Sequence, residues 1–155
     1  MESIIKKVTQ KNNVVIKEKA YTPIAKAKYV TESNPKNWYI KIFFPEHRVL
    51  VMSPNDNIIY FGQNVGSIGI SPPFGPAIDY LGKRYNLVAE DYQIVKNLEF
   101  GSPIDTEGEV KFWDFEGDNN KNQLLSLGIV QRTGKRADIV AEIISIEDIN
   151  LVSIA

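Results

Sequence analysis

Residues 38–53, WYIKIFFPEHRVLVMS, decide the fold. In an extended chain Trp38, Ile40, Ile42 and Phe44 fall on one side, and Tyr39, Lys41 and Phe43 on the other. This is the alternation of a strand with one mostly apolar face. Pro45, Glu46 and His47 turn the chain, and RVLVMS (48–53) carries it back. PNDN (54–57) turns it again into IIYFG (58–62). Residues 38–62 therefore predict a three-strand antiparallel meander with short loops.

The pattern extends in both directions. Upstream, NVVIKEKAYTPIAKAKYV (13–30) is rich in β-branched and aromatic residues. Pro23 interrupts it, because proline removes a ladder donor. ESNPKN (32–37) is turn chemistry. Downstream, GQNVGSIGISPPFGP (62–76) holds four Gly and three Pro in fifteen residues and predicts a long connection. AIDYLGKRYNLVAEDYQIVKN (77–97) predicts a helical turn at 77–81, ended by Gly82, then a strand pair or one bent strand. Residues 109–117 and 123–132 read as strands. Residues 137–149 are ambiguous, since DIVAEII suits a helix while Ile144, Ile146 and Val152 favour strand; we read strand.

Two halves, 14–62 and 77–154, resemble each other across the 62–76 connection. IKIFFPE (40–46) matches VKFWDFE (110–116) in order and type, and RVLVMS parallels QLLSLG (123–128). A degenerate internal duplication follows as an expectation. Two such meanders can close edge to edge and so remove unpaired strand edges. The expected fold is all-β, a small antiparallel barrel or two packed meanders, in a single domain over 1–155.

Composition bounds the function. Of the residues, 43% are hydrophobic and 24% charged, as in an ordinary globular domain. The chain has no cysteine, which excludes disulfides, thiol nucleophiles and zinc ribbons. No apolar run of about 18 residues predicts a membrane helix, and the N-terminus lacks the pattern of a secretory signal. We expect a cytoplasmic protein. Residues 1–36 carry eight Lys against three Glu, and residues 101–155 carry five Lys and Arg against ten Asp and Glu. With no Arg in the first 36 residues, the basic end gives no strong nucleic-acid signal.

The most chemical-looking stretch is EGEVKFWDFEGDNN (107–120). As a strand it sets Val110, Phe112 and Asp114 on one face and Lys111, Trp113 and Phe115 on the other. Asp114, Glu116 and Asp118 form an acidic row spaced by about 6.6 Å. A calcium loop needs Gly at its sixth position and Glu at its twelfth. Counted from Asp114, Gly117 is fourth and the twelfth position is Leu125, so no metal site is expected. Acid–base work needs two carboxyls in contrasting environments, and nothing in the sequence marks such a pair. His47, the only histidine, lies in a turn. Gly62, Gly66 and Gly69 match neither phosphate-binding fingerprint, and RTGKRAD (132–138) reads as a hairpin turn at Gly134. We expect no catalytic residue and no cofactor.

The Trp38-led strand, GEVKFWDFEGDNN with Trp113, Glu116 and Gly117, LLSLG and the closing AEIISIEDI together resemble a bacterial domain of unknown function. Its members are encoded beside phage-shock-protein-A-like membrane-stress proteins and polyamine-synthase-like proteins. The resemblance covers about residues 20–152. It implies an all-β fold and a role near membrane-associated assemblies, and it supplies no catalytic residue. We expect no appended metal ribbon or membrane segment, so any membrane link the resemblance implies is indirect.

The leading expectation is a non-enzymatic protein-binding or scaffolding module whose partner is another protein. Its surface is Ile70, Pro72, Pro73 and Phe74 in the connection, with Trp38 and Tyr60 nearby. Alternatives are an immunity protein that neutralises a toxin, or an enzyme or metal- or sugar-binding protein using the acidic row 114–118.

Overall fold

A computed structural model describes residues 1–154. After a short helix α1 (Glu2–Lys7) come twelve strands. They are β1 (Asn12–Ile16), β2 (Lys19–Tyr21), β3 (Ala25–Thr31), β4 (Trp38–Phe43), β5 (Arg48–Ser53) and β6 (Ile58–Gly66) in the first half. The second half holds β7 (Ala77–Tyr80), β8 (Lys83–Phe100), β9 (Val110–Gly117), β10 (Gln123–Val130), β11 (Asp138–Ile144) and β12 (Ile149–Ser153).

Nine strands form one sheet in the order β3-β4-β5-β6-β11-β10-β9-β8-β7. An added β3–β8 pairing, from Lys26 opposite Phe100 to Thr31 opposite Gln93, closes eight of them into an antiparallel barrel. Two four-strand meanders, β3–β6 and β8–β11, thus meet along β6–β11 and β3–β8. At the first seam, β11 comes so near β6 that a Cβ on Gly62 would lie 2.1 Å from the Val140 carbonyl oxygen. Gly62 is fixed by that approach, and Gly66 and Gly69 take positive φ values in the following turn.

The side chains of the wall are distributed in an unusual way. Trp38, Ile40 and Ile42 on β4, with Leu50 and Met52 on β5 and Ile59 on β6, point out of the barrel. A second sheet, β12-β1-β2, and α1 cover them. Ile5, Val8, Val14, Ile16 and Ile149 complete this core. Lys26, also facing outward, is 2% exposed. Its ammonium donates to the carbonyls of Ile5 and Val8 and pairs with Glu99 at 3.0 Å, fixing α1 to the wall. The principal hydrophobic core therefore lies outside the barrel.

The opposite wall is covered by the connection. Phe74 is 8% exposed and stands edge-on to Trp113 with ring centroids 4.8 Å apart. Phe115, Leu125, Leu127 and Ile78 join it, with Ile70 half-buried at the margin. Polar bonds hold the segment down. The Arg136 guanidinium pairs with Asp138 at 2.7 Å and donates to the Ile70 carbonyl, while Asp138, fully buried, accepts from the Ile68 and Gly128 amides.

Most elements follow the sequence reading: the meander of β4, β5 and β6, the break at Pro23 between β2 and β3, and strand at 138–144. Three expectations are corrected. The connection does not present an exposed Phe74, which is buried on the wall, and it leaves Ile70 half-buried. Residues 77–80 are strand β7 leading into a hairpin, because Leu81 and Gly82 both take the positive φ that a two-residue turn requires. The match of 40–46 to 110–116 sets inward Lys41 against outward Lys111, and a one-residue slip reverses every side chain of a strand.

Phe74→Ala should lower unfolding stability in urea by about 3–5 kcal/mol, the usual loss for an emptied aromatic site. Asp138→Ala should cost about as much, since it strands a part-buried guanidinium and leaves the Ile68 and Gly128 amides without their acceptor. Ser71→Ala, at an exposed position of the same connection, should change stability by less than about 0.5 kcal/mol. Silent behaviour of Phe74→Ala and Asp138→Ala would mean that the connection does not pack on the wall.

Candidate functional site: a polar barrel lumen

With the apolar faces turned outward, the lumen receives the other half of each alternation. Eight-stranded barrels are just wide enough to be filled by side chains or to hold one small ligand. Here small residues at Ser53, Ser126 and Ala141 leave a cavity of about 440 Å³. Tyr39, Tyr60 and Phe112 stand on its walls, with Val51, Ile58, Leu124 and Ile139 as apolar neighbours. The loops after β3 and β5 bring Ser33, Asn34, Asn37 and Asp56 to its mouth, and β8 adds Glu90 and Asp91.

The far end is closed by residues 101–109. Asp105, 2% exposed, accepts from the Tyr29 hydroxyl at 2.6 Å and from the Lys41 ammonium at 2.8 Å. Lys41 also lies 4.9 Å from the centre of the Tyr29 ring, and Tyr29 stacks on Tyr39 at 5.5 Å. Burial, followed by the Asp105 charge and its hydrogen bond, pushes the Tyr29 hydroxyl far above the ordinary tyrosine value. The hydroxyl stays protonated and serves as a donor.

Nearer the mouth lie two further pairs. The Ser126 hydroxyl donates to Asp114 at 2.6 Å, and the Tyr39 hydroxyl donates to the Gln93 side-chain oxygen at 2.6 Å. Burial raises the Asp114 carboxyl above the ordinary carboxylate range, against the opposing pull of the Ser126 bond and of Lys41. Part of its surface is still open to the cavity. Burial, then the charges of Asp114, Asp56 and Glu116, pushes Tyr60 up to about 12. At the mouth Asp91 titrates below the ordinary range. Burial alone would raise it, but hydrogen bonds from the Ser33 hydroxyl and from the Tyr92 and Ser33 amides outweigh that effect.

One group breaks the pattern of satisfied bonds. Gln93 is 3% exposed, and its side-chain nitrogen has no hydrogen-bond partner. Among the described residues it is the only buried side-chain polar atom in that state. Turning the amide over would orphan the oxygen instead, so one amide atom lacks a partner in either orientation. A buried unpaired amide group costs about 1–3 kcal/mol.

Of the six residues expected to form a surface, Tyr60 alone lines the lumen. Trp38 lies on the outer face beneath the terminal segments, with the Lys28 ammonium 4.5 Å from its ring centre. Pro72 and Pro73 are exposed; Ile70 and Phe74 pack on the outer wall. The structure does not bring these six together. The acidic row also disperses: Asp114 turns into the lumen, Glu116 pairs with Lys121 at 2.9 Å, and Asp118 accepts from Asn86 at 2.8 Å. No group of three or more His, Cys, Asp or Glu among the described residues is placed to hold a metal. His47 is exposed in its turn. The sequence reading missed Gln93, Asp105 and Lys41. Its signal for Lys41 was a lone cation within an apolar strand.

No helix among the described residues is long and apolar enough to cross a membrane. Comparison with protein-family models, curated proteins and solved structures gave no significant match.

A group whose folded pKa is raised adds stability below its unfolded pKa and loses it as pH rises through the folded value. Asp114 is such a group. Asp114→Asn, which keeps an acceptor for Ser126, should therefore raise the thermal unfolding midpoint at about pH 7, and the gain should shrink as the pH falls towards about 4. Scanning calorimetry across that range checks this. A variant less stable than the parent at neutral pH would show that the lumen favours the charged carboxylate.

Proposed function

We propose that the protein is a small-molecule-binding barrel that takes its ligand into the lumen through the mouth at residues 31–37 and 53–58. The unpartnered amide of Gln93 carries this reading. A buried polar group without a partner is rare in native chains and calls for an explanation. The nitrogen is enclosed in the unliganded barrel, and a turn of the Gln93 side chain into the adjoining cavity would let a ligand atom complete its bonding. The cavity supports the reading in size and character: about 440 Å³ falls within the ordinary span of ligand sites, and a few converging polar groups among apolar walls are typical of them.

This reading replaces the connection with the lumen as the binding element. A scaffolding surface built on Ile70 and Phe74 would need both side chains at the surface, whereas Phe74 is buried against Trp113 and Phe115 and Ile70 is half-buried beside them. The sugar-binding alternative survives only in the sense that Asp114 contributes to the lumen.

A fragment screen followed by two-dimensional NMR on isotope-labelled protein tests the reading. Hits should shift the Gln93 side-chain amide together with signals of Val51, Tyr60 and Ser126. Ser126→Phe, which places a ring in the cavity, should weaken them at least tenfold. Hits that map only to the outer surface, or that survive Ser126→Phe unchanged, would refute lumen binding.

A further inference from the structure

The charge of the lumen narrows the class of ligand, granted the barrel-binding reading above. Three carboxylates stand on the lumen side, that of Asp114 on the wall and those of Asp56 and Asp91 at the mouth, against a single ammonium, that of Lys41. That ammonium is already committed to Asp105 at 2.8 Å and to the face of Tyr29. It is therefore a poor partner for an incoming anion. An anionic ligand would meet unbalanced negative charge in a setting of reduced dielectric, where charge interactions are several times stronger than in water. A cation meets the reverse. Asp114 has one carboxylate oxygen beyond the one that accepts from Ser126, and the rings of Tyr39, Tyr60 and Phe112 offer faces that attract a desolvated cation.

The Gln93 nitrogen adds a requirement of another kind. With the Tyr39 hydroxyl donating to the Gln93 oxygen, the atom left over is a donor, and the ligand must present an acceptor oxygen or nitrogen to it. The apolar walls of Val51, Ile58, Leu124 and Ile139 then suit a carbon body rather than a fully hydrated ion. The dispersal of Glu116 and Asp118 outside the lumen argues in the same direction, because a bare metal ion needs converging oxygens. We infer that the barrel binds a small organic cation, an amine or quaternary ammonium that also carries a hydrogen-bond acceptor, with its charge at Asp114 and its acceptor at the Gln93 amide.

Matched ligand triplets separate this inference from the reading on which it rests. One triplet is tyramine, its alcohol tyrosol and the carboxylate 4-hydroxyphenylacetate. The other is choline, its neutral carbon isostere 3,3-dimethylbutanol and 3,3-dimethylbutanoate. Titration calorimetry and NMR on the full chain at neutral pH should show the cation of at least one triplet binding in the lumen. It should bind at least tenfold tighter than its alcohol, with the carboxylate weaker still. Asp114→Asn should remove most of that preference. Gln93→Leu should weaken both cation and alcohol while leaving their ratio in place. If Asp114→Asn does not fold, the wild-type ratio decides alone. An alcohol or carboxylate that binds as tightly as its cation, or a screen whose lumen ligands are all neutral or anionic, overturns the cation assignment while lumen binding stands. The absence of any lumen ligand from both experiments overturns both.

Discussion

The structure depends on which side of each strand is turned outward. Along β4, Trp38, Ile40 and Ile42 face away from the barrel axis, and Tyr39, Lys41 and Phe43 face towards it. Burying an apolar side chain is worth about 1.5–3 kcal/mol, so an outward apolar face must be covered. Two parts of the chain do this from opposite sides. The termini supply α1 and the β12-β1-β2 sheet over β4, β5 and β6, and the connection supplies Phe74 over β9 and β10. Buried polar contacts fix both covers, Lys26 for the first and Arg136 with Asp138 for the second. The lumen, relieved of serving as the main core, can remain polar and partly hollow.

A polar interior is tolerated only where its bonds are complete. At the closed end they are: Tyr29, Lys41 and Asp105 satisfy one another. Removing Asp105 would leave an ammonium and a phenol facing each other without an acceptor, so residues 101–109 act as a structural plug. Nearer the mouth completion stops at Gln93, and there the cavity opens. On the proposed reading, the change from a saturated floor to an unsaturated middle separates the polar core of this barrel from its binding site.

The fold was largely legible in the sequence, because alternation, turn residues and strand lengths are local properties. Trp38–Phe44 showed its two faces, Pro23 its break, and Gly134 its turn. Which face would be covered, and by what, was not legible. Alternation separates two faces without saying which is the inside, and in a closed barrel with outer covers both are sheltered. The Gly- and Pro-rich stretch 62–76 carried the composition of an exposed loop. Most of it is exposed, but Phe74 is buried and the segment is held to the wall by Arg136, which lies 66 residues beyond Ile70 in sequence. The site was hidden for the same reason. Gln93 and Asp105 are ordinary polar residues in their local context, and only barrel closure brings Gln93 beside Tyr39 and Asp105 beside Lys41. The register error in matching 40–46 to 110–116 arose because residue type was aligned without facing.

The inverted wall can be tested directly because the chain has no native cysteine. Single cysteines placed along β10 at Ser126, Leu125 and Leu127 report facing through their reaction with a small, positively charged methanethiosulfonate reagent on the folded protein. The account predicts rapid labelling at 126, where the thiol faces the open lumen, and protection at 125 and 127, where it lies beneath the connection. Labelling at 125 and 127 with protection at 126 would contradict it.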